Sequence, residues 1–330
     1  MTPELSIIIV SWNLQDLIGQ AIDSAFAQDL TSCEIIVVDN GSTDGSIEQL
    51  RAYESTATHT YKLILNDENR GLGPARNQGM AEATGKYIVF LDGDDWFVHQ
   101  TLPRIVALTK TNRADVAVFN HLEVFSSGET RNNRHTNLLK EGDRNDPEIR
   151  KTLLRNFNVA WNKVYRSEFI RAQGLKFADG YYEDVDWSHM ALILATRVLA
   201  SDEVVINHRK DRGGSITNSQ SPSHMQAIDR FRALLEFAAE NKTLCAPYRT
   251  YIFERIVRNT LTLLSRKRTR LPKELHPVFF RHVQDLLDAH DPGNDVKVRN
   301  ANPLVYRLLR SGSFATFNAV KGINGLRLSR

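Results

Sequence analysis

Asp92-Gly93-Asp94-Asp95 closes the apolar run Tyr87-Ile88-Val89-Phe90-Leu91. Three carboxylates at the mouth of a buried strand are costly unless a cation meets them. A hard divalent ion carrying a diphosphate would do so, and Gly93 lets the backbone turn tightly or approach a ligand closely. The chemistry expected of this cluster is therefore that of an enzyme handling a metal-bound nucleotide. A plain Asp/Gly turn is the simpler alternative.

Other side chains extend the constellation. Asp39 ends a second apolar run, Ile35-Ile36-Val37-Val38. It can accept a hydrogen bond from a nucleobase imide, or it can form an Asx turn or cap the helix starting near Ser46. Asp44 reads as a cap for that same helix. Gly71 and Gly73 permit close backbone approach, Pro74 starts a helix, and Arg76 projects from its first turn. This is not a dinucleotide fingerprint, because Arg76 stands where a third small residue is needed and no first strand precedes it. Glu183-Asp184 opens another helix. A carboxylate at a helix N-terminus is stabilised as the anion, which suits Asp184 to act as a general base. Arg212 and Ser215, within Arg212-Gly213-Gly214-Ser215, suit a mobile loop closing over a diphosphate.

The elements that must position these groups alternate. Strands are expected at Leu5–Val10, Glu34–Val38, Tyr61–Leu65 and Lys86–Leu91, with helices at Leu14–Gln28, Ser46–Tyr53 and Gly73–Ala83 between them. Continuous apolar strands alternating with helices imply an α/β fold with a mostly parallel sheet covered on both faces. Ligands in such sheets sit beyond the carboxyl ends of the strands, where Trp12-Asn13, Asp39 and Asp92 fall. A second half follows, with helices at Leu102–Thr109, Pro147–Phe157 and Val185–Leu194, and a strand at Ala114–Phe119. Trp161–Tyr165 is read as extended and Ser126–Asn145 as a polar loop or irregular hairpin. After the polar stretch 218–224 the pattern is wholly helical, at Gln226–Glu240, Tyr248–Ser265, Pro277–Ala289 and Pro303–Leu309.

Five motifs occur in order: Ser6-Ile7-Ile8-Ile9-Val10-Ser11-Trp12-Asn13; Val38-Asp39-Asn40-Gly41-Ser42-Thr43-Asp44; Asn69-Arg70-Gly71-Leu72-Gly73-Pro74-Ala75-Arg76; Asp92-Gly93-Asp94-Asp95; and Tyr182-Glu183-Asp184, preceded by Trp161-Asn162-Lys163-Val164-Tyr165. Over about residues 5–217 the chain resembles the family 2 glycosyltransferases, inverting nucleotide-sugar-dependent enzymes of GT-A fold. The resemblance implies a GT-A catalytic domain over 1–220, with a nucleotide-binding half at 1–100 and an acceptor-side half at 101–220, and a helical module at 221–330. It implies that Asp39 reads uracil and that the donor is UDP-linked. Ser11, Asn13, Asp39, Asn69, Arg76, Asp92, Gly93, Arg212 and Ser215 would line the nucleotide-sugar site. Asp94, Asp95 and His208 would hold Mn²⁺ or Mg²⁺. Asp184 would be the base, with Glu183 binding the acceptor or orienting that base. The implied reaction is hexosyl or N-acetylhexosaminyl transfer to a hydroxyl of a polysaccharide, a teichoic-acid-like polymer or a lipid-linked acceptor, in the style of bacterial wall and capsule transferases. Trp12 and Trp96 are candidate sugar platforms or core lids, and Trp187 a candidate wall of the acceptor groove.

Bulk properties fit this reading. The 330 residues are 42% hydrophobic and 25% charged, as in a globular protein. Two distant cysteines, Cys33 and Cys245, suggest neither a disulfide framework nor a zinc site, and a reducing compartment is the default. No run approaches the ~20 apolar residues of a membrane span, and no leader pattern opens the chain. A cytoplasmic protein is expected, with no nucleic-acid partner. The net charge of +3 hides a basic C-terminal third, and from Lys297 onward every charged residue is basic. That tail suits an anionic membrane face or a polyanionic acceptor, and the helical module could also support self-association. Alternatives from other classes are a catalytically inactive nucleotide-sugar-binding module and an Asp-based phosphotransferase. The second would place its nucleophile after the first strand, where Ser11-Trp12-Asn13 stands instead.

Overall fold

The structure is a computed structural model and describes residues 2–30, 32–56, 59–140, 142–211, 220–264, 270–290, 307–310 and 312–323. The chain forms two compact units, Met1–Gly213 and Gly214–Arg330.

The first unit is built on one mixed sheet. Its parallel half comprises β1 (Leu5–Ser11), β2 (Cys33–Asp39), β3 (Thr60–Leu65) and β4 (Tyr87–Asp92), in the spatial order β3-β2-β1-β4. β1 and β2 are buried along their whole length, as strands sandwiched between helices must be. The helices α1 (Ile18–Phe26), α2 (Ser46–Thr56) and α3 (Leu72–Glu82) connect them. α1 presents Ile18, Ala21, Ile22 and Ala25 to the core at helical spacing. α3 lies unusually close to β1, because a Cβ on Gly79 would stand 2.4 Å from Ile8 Cγ2.

β2 and β3 lie on one side of β1 and β4 on the other. The strand order thus reverses between β1 and β4, which opens a crevice at their carboxyl ends. The register puts Ser11 beside Asp39 and Val10 beside Asp92. At the opposite end, buried Glu34 is fully engaged by Ser6 Oγ, by the Thr84 amide and hydroxyl, and by the Gly85 amide.

Beyond β4 the sheet becomes mixed. β5 (Trp96–Phe97) and α4 (Leu102–Thr111) lead to β6 (Val116–Val124), which turns back as the hairpin strand β7 (Thr130–Asn132). The polar stretch Ser126–Asn145 is therefore partly a hairpin. It continues through a short 3₁₀ turn, Thr136–Leu139, to β8 (Gly142–Asp143). Next come α5 (Pro147–Asn156), β9 (Lys163–Arg166), α6 (Ser167–Ala172), α7 (Glu183–Leu194) and β10 (Val198–Arg209). β9 runs antiparallel to both β4 and β6, and β10 runs parallel to β6.

β10, at twelve residues, has no counterpart in the sequence reading. Its apolar pattern is broken at Ser201-Asp202-Glu203, where the pairing with β6 shifts register. That interruption hides the strand from periodicity.

The second unit is helical over the described residues: Ala227–Glu240, Lys242–Cys245, Arg249–Leu263, His276–Ala289 and Phe314–Ile323. Phe231, Ile252, Ile256, Phe279, Phe280 and Phe317 are buried in its core. The helix Phe314–Ile323 was not foreseen. Most of the expected Pro303–Leu309 helix and of the basic tail lies outside the described residues. No described helix is long and apolar enough to cross a membrane. Cys33 and Cys245 are both free and buried.

Candidate functional site

At the switch point, Arg76 binds three carboxylates. Its Nη2 donates to Asp92 Oδ1 at 2.7 Å, and its Nη1 to Glu183 Oε1 at 3.0 Å and Asp184 Oδ1 at 2.6 Å. The guanidinium is 1% exposed and packs on the rings of Phe90 and Phe177. Burial works against its charge, but Asp184, then Asp92 and Glu183, more than offset that, so it is held protonated more firmly than an ordinary arginine. Arg76 was expected to lie against the nucleotide. In the structure it is the buried clamp that joins the β4 carboxylate to the pair on α7.

Two backbone features bring α7 to this position. Gly73 on α3 faces the 178–183 segment so closely that a Cβ there would stand 2.1 Å from the Ala178 carbonyl oxygen. Tyr182, immediately before the helix, holds φ +66, a left-handed conformation that non-glycine residues rarely adopt. Burial raises the pKa of Asp184. Arg76 opposes that shift, Asp92 adds to it, and Lys163 and the Ala160 backbone oppose it. A helix N-terminus favours the anion, but burial, the largest cause, moves the Asp184 pKa the other way. A base with a raised pKa is nonetheless better matched to proton abstraction near neutrality.

Glu183 is pushed up to about 8, first by burial and then by Asp184. Its folded-state pKa lies above its ordinary value of 4.5, so the stability it contributes is full below that value and is lost as pH rises toward about 8. Glu183→Gln keeps an acceptor for Arg76 and removes the titration. The melting temperature of the variant relative to wild type is expected to rise across this window. Parallel curves would show that Glu183 is not the group that titrates.

The remaining acidic residues divide by function. Asp95 is buried; its Oδ2 accepts from His208 Nδ1 at 2.9 Å and its Oδ1 from the Arg209 amide at 2.8 Å. With each oxygen accepting from a protein donor, Asp95 orients His208. Burial raises the Asp95 pKa to about 6, with His208 opposing. Burial disfavours the charge on His208, but its bond to Asp95 more than compensates, and its pKa rises. Asp94 is half-buried, and its carbonyl accepts from Arg209 Nε at 3.0 Å. Gly93 packs tightly against β1: its amide donates to the Val10 carbonyl, and a Cβ would stand 2.7 Å from that oxygen. A glycine is therefore required here by packing alone.

Asp39 is fully buried, and its oxygens accept from the Ser42 amide at 2.8 Å and the Ser42 hydroxyl at 2.6 Å. It forms the Asx turn with Ser42. Ser42 in turn accepts from the Asn13 amide, and Asn13 Oδ1 accepts from the Thr43 amide. Asp44 caps α2 through the Ser46 amide, as expected. Asn69 Oδ1 accepts from Asn40 Nδ2 and the Gly71 amide, tying the β2–α2 turn to the β3–α3 loop. Ser11 Oγ is buried with no hydrogen-bond partner among the described residues. A buried, unpaired hydroxyl at the crevice is the polar group a ligand would satisfy. Trp187 is core, stacked on Phe177 at 4.0 Å with its Nε1 donating to Tyr165, so it does not line a groove. Trp96 packs under Arg209, while Trp12 is 47% exposed. Arg212 and Ser215 lie outside the described residues.

Residues 6–176 match the family model described as Glycosyl transferase family 2. The chain belongs to glycosyl transferase family 2. It is 31% identical over 208 residues to the "uncharacterized glycosyltransferase YibD" of Escherichia coli, covering 61% of this chain and 60% of that protein. It is 26% identical to the cholesterol galactosyltransferase of Borreliella burgdorferi, over 68% and 65% of the two chains. The chain spans from half to three fifths of the length of YibD and of EpsH from Bacillus subtilis. Among solved structures it is similar to S. aureus TarS 1–349 in complex with UDP-GlcNAc, with a TM-score of 0.79 and 19% identity over 97% of this chain and 90% of that one. It is less similar to the mannosyltransferase PcManGT from Pyrobaculum calidifontis in complex with GDP-Man and Mn²⁺ (TM-score 0.52, 17% identity, 98% and 82% coverage). The fold is GT-A.

This family 2 chain carries one further feature that the motifs did not reveal. A cavity of about 350 Å³ opens at the carboxyl ends of β6 and β10. His121, Glu123, Arg131, Arg134, Trp161 and His208 are among its lining residues. Trp161 stacks on His208 at 4.9 Å, and His208 is the residue fixed by Asp95. The cavity and the carboxylate cluster therefore share a wall. Arg131-Asn132-Asn133-Arg134-His135 was legible only as a polar loop, since its basic residues gain meaning from the cross-strand register that sets Arg131 opposite Glu123.

Proposed function

We propose that this protein transfers a sugar from a UDP-linked donor to a hydroxyl of a polysaccharide, polyol-phosphate or lipid-linked acceptor, with inversion at the anomeric carbon. The observation that carries the reading is the convergence of Asp92, Glu183 and Asp184 on buried Arg76 at the sheet's switch point. Family membership and the UDP and UDP-GlcNAc complexes of the similar TarS support it.

In this reading Asp184 accepts the proton of the acceptor hydroxyl as its oxygen bonds to the anomeric carbon. The bond from that carbon to the diphosphate oxygen breaks, and its electron pair leaves with UDP. Arg76 holds Asp184 and Asp92 in fixed relation, which sets the base against the donor pocket. Glu183 buttresses Asp184 from the same guanidinium. Among the described residues no three His, Cys, Asp or Glu side chains form a metal cage. A Mg²⁺-type site needs only one or two protein ligands when phosphates supply the rest, and a histidine oriented by a carboxylate is a common ligand arrangement. Asp94 and His208 fit that requirement for Mn²⁺ or Mg²⁺. The ion would supply neutralisation of the charge growing on the diphosphate. A cytoplasmic location, with the basic C-terminal segment at the inner membrane face, belongs to the same proposal.

The test is a panel of nucleotide sugars with Mn²⁺, read by thermal stabilisation and then by turnover. A matching donor at a hundredfold excess over its Kd should stabilise the fold by about 2.7 kcal/mol. Stabilisation without turnover on any acceptor would favour an inactive binding module. Hydrolysis of a simple phosphate ester without a sugar donor would favour a phosphotransferase.

A further inference from the structure

The cavity beside His208 is polar and basic. Three cationic side chains, Arg131, Arg134 and Lys210, line it against one acidic side chain, Glu123. Lys210 Nζ stands 3.5 Å from Glu123, and Arg131 is paired to Glu129 at 2.7 Å. Arg134 is exposed and has no acidic partner among the described residues. Asn162 also lines the cavity; it is fully buried, and its Nδ2 has no hydrogen-bond partner among the described residues. A buried amide donor left unsatisfied among cations calls for an acceptor atom on a ligand. The volume falls within the ~300–1,000 Å³ usual for small-molecule sites and far exceeds the ~30 Å³ of a water. Two of the lining histidines add little charge: burial drives the His121 pKa down to about 3, and burial lowers that of His135 too, whereas the bond to Asp95 raises that of His208.

The position matters as much as the charge. Trp161 and Asn162 follow directly on Ala160, whose backbone meets Asp184. A group seated in the cavity is thus separated from the proposed base by one short segment of chain.

We propose that this cavity binds a phosphate group of the acceptor, with Arg131, Arg134 and Lys210 as its cationic contacts and Asn162 as a neutral donor. The role as an acceptor subsite rests on the glycosyltransferase reading; binding of the anion does not. The phosphate could be a diester of a polyol-phosphate polymer or a monoester of a sugar phosphate.

The experiment is calorimetric titration of the full chain, saturated with UDP and Mn²⁺ so that the donor's diphosphate subsite is filled. Glycerophosphoglycerol serves as the diester probe, glucose 1-phosphate as the monoester, and glycerol as the uncharged control. The expected result is binding of at least one phosphate probe and none of glycerol. The double variant Arg131→Ala/Arg134→Ala should weaken it roughly tenfold or more, the loss expected for charge-assisted hydrogen bonds. Arg131→Lys/Arg134→Lys should restore part of it. The tighter probe identifies the source of the phosphate. Unchanged binding in the alanine variant, or no phosphate binding once UDP is present, overturns the proposal. UDP titrated alone reports the donor site separately. If UDP fails to bind while the phosphate probes still distinguish wild type from variant, the UDP-donor reading fails and the cavity's anion site stands.

Discussion

Asp184→Asn is expected to lower glycosyl transfer about 10²–10⁴-fold, the range a positioned general base contributes. The substitution is nearly isosteric. The amide oxygen can still accept from Arg76 Nη1, which lies 2.6 Å from Asp184 Oδ1 in the wild type, so α7 should stay seated. Removing one of three carboxylates around a single guanidinium also relieves repulsion with Asp92 and with Glu183. The melting temperature should therefore hold or rise while turnover collapses. UDP affinity should be retained, because an amide fails only at taking the proton. Initial rates, calorimetric UDP binding and thermal melting on one preparation separate these effects. A variant that turns over within a few-fold of wild type removes Asp184 from the reaction and leaves its cluster structural.

Arg76→Met should be the most destabilising single change in the first unit. The side chain is of similar length and can keep the apolar contacts with Phe90 and Phe177. What it lacks is the charge that three carboxylates share. Breaking a buried ion pair by removing one partner costs roughly 3–5 kcal/mol, because the other partner stays buried and unpaired. For a unit of this size that is a drop of about 10 °C or more in melting temperature. The sign of the pH dependence follows from the same charges. Arg76 lowers the pKa of Glu183 and Asp184 against their burial. Without it both carboxyls hold their protons to higher pH, and the acidic limb of the rate profile moves upward. The stability difference from wild type should shrink on acidification, where the carboxyls are neutral and the guanidinium would itself be the unpaired charge. Arg76→Lys should recover only part of the stability, since an ammonium lacks the fork that reaches β4 and α7 together. A methionine variant as stable as wild type at every pH would mean that the clamp contributes no net stability.

Glu183, Asp184 and Arg76 illustrate how far the residues could be read in advance. The motif order pointed to all three, and to a sheet whose strand ends carry Ser11, Asp39 and Asp92. What escaped was their mutual geometry. Arg76 is far in sequence from Glu183, and no local pattern says that Gly73 leaves room for the Ala178 carbonyl or that Tyr182 takes a left-handed turn. Nor does a sequence distinguish an exposed carboxylate from buried ones such as Asp39 and Asp95. Ser42 and His208 claim them in the fold.

The apolar runs of β1, β2 and β4, and the helical spacing between them, are short-range properties. Periodicity over a few residues is enough to identify a strand or helix and to place its end, which is why the alternating architecture and the acidic strand termini were legible in the chain. Pairing is a long-range property. β10 was invisible because its apolar pattern breaks at Ser201-Asp202-Glu203, and it exists because β6 offers a parallel edge for it. The protonation tendencies of Asp184 and Glu183, the orphaned Ser11 hydroxyl and the basic cavity depend on burial and on which distant groups meet. Desolvation and Coulomb interactions act through space, so those features came into being only when the sheet closed around them.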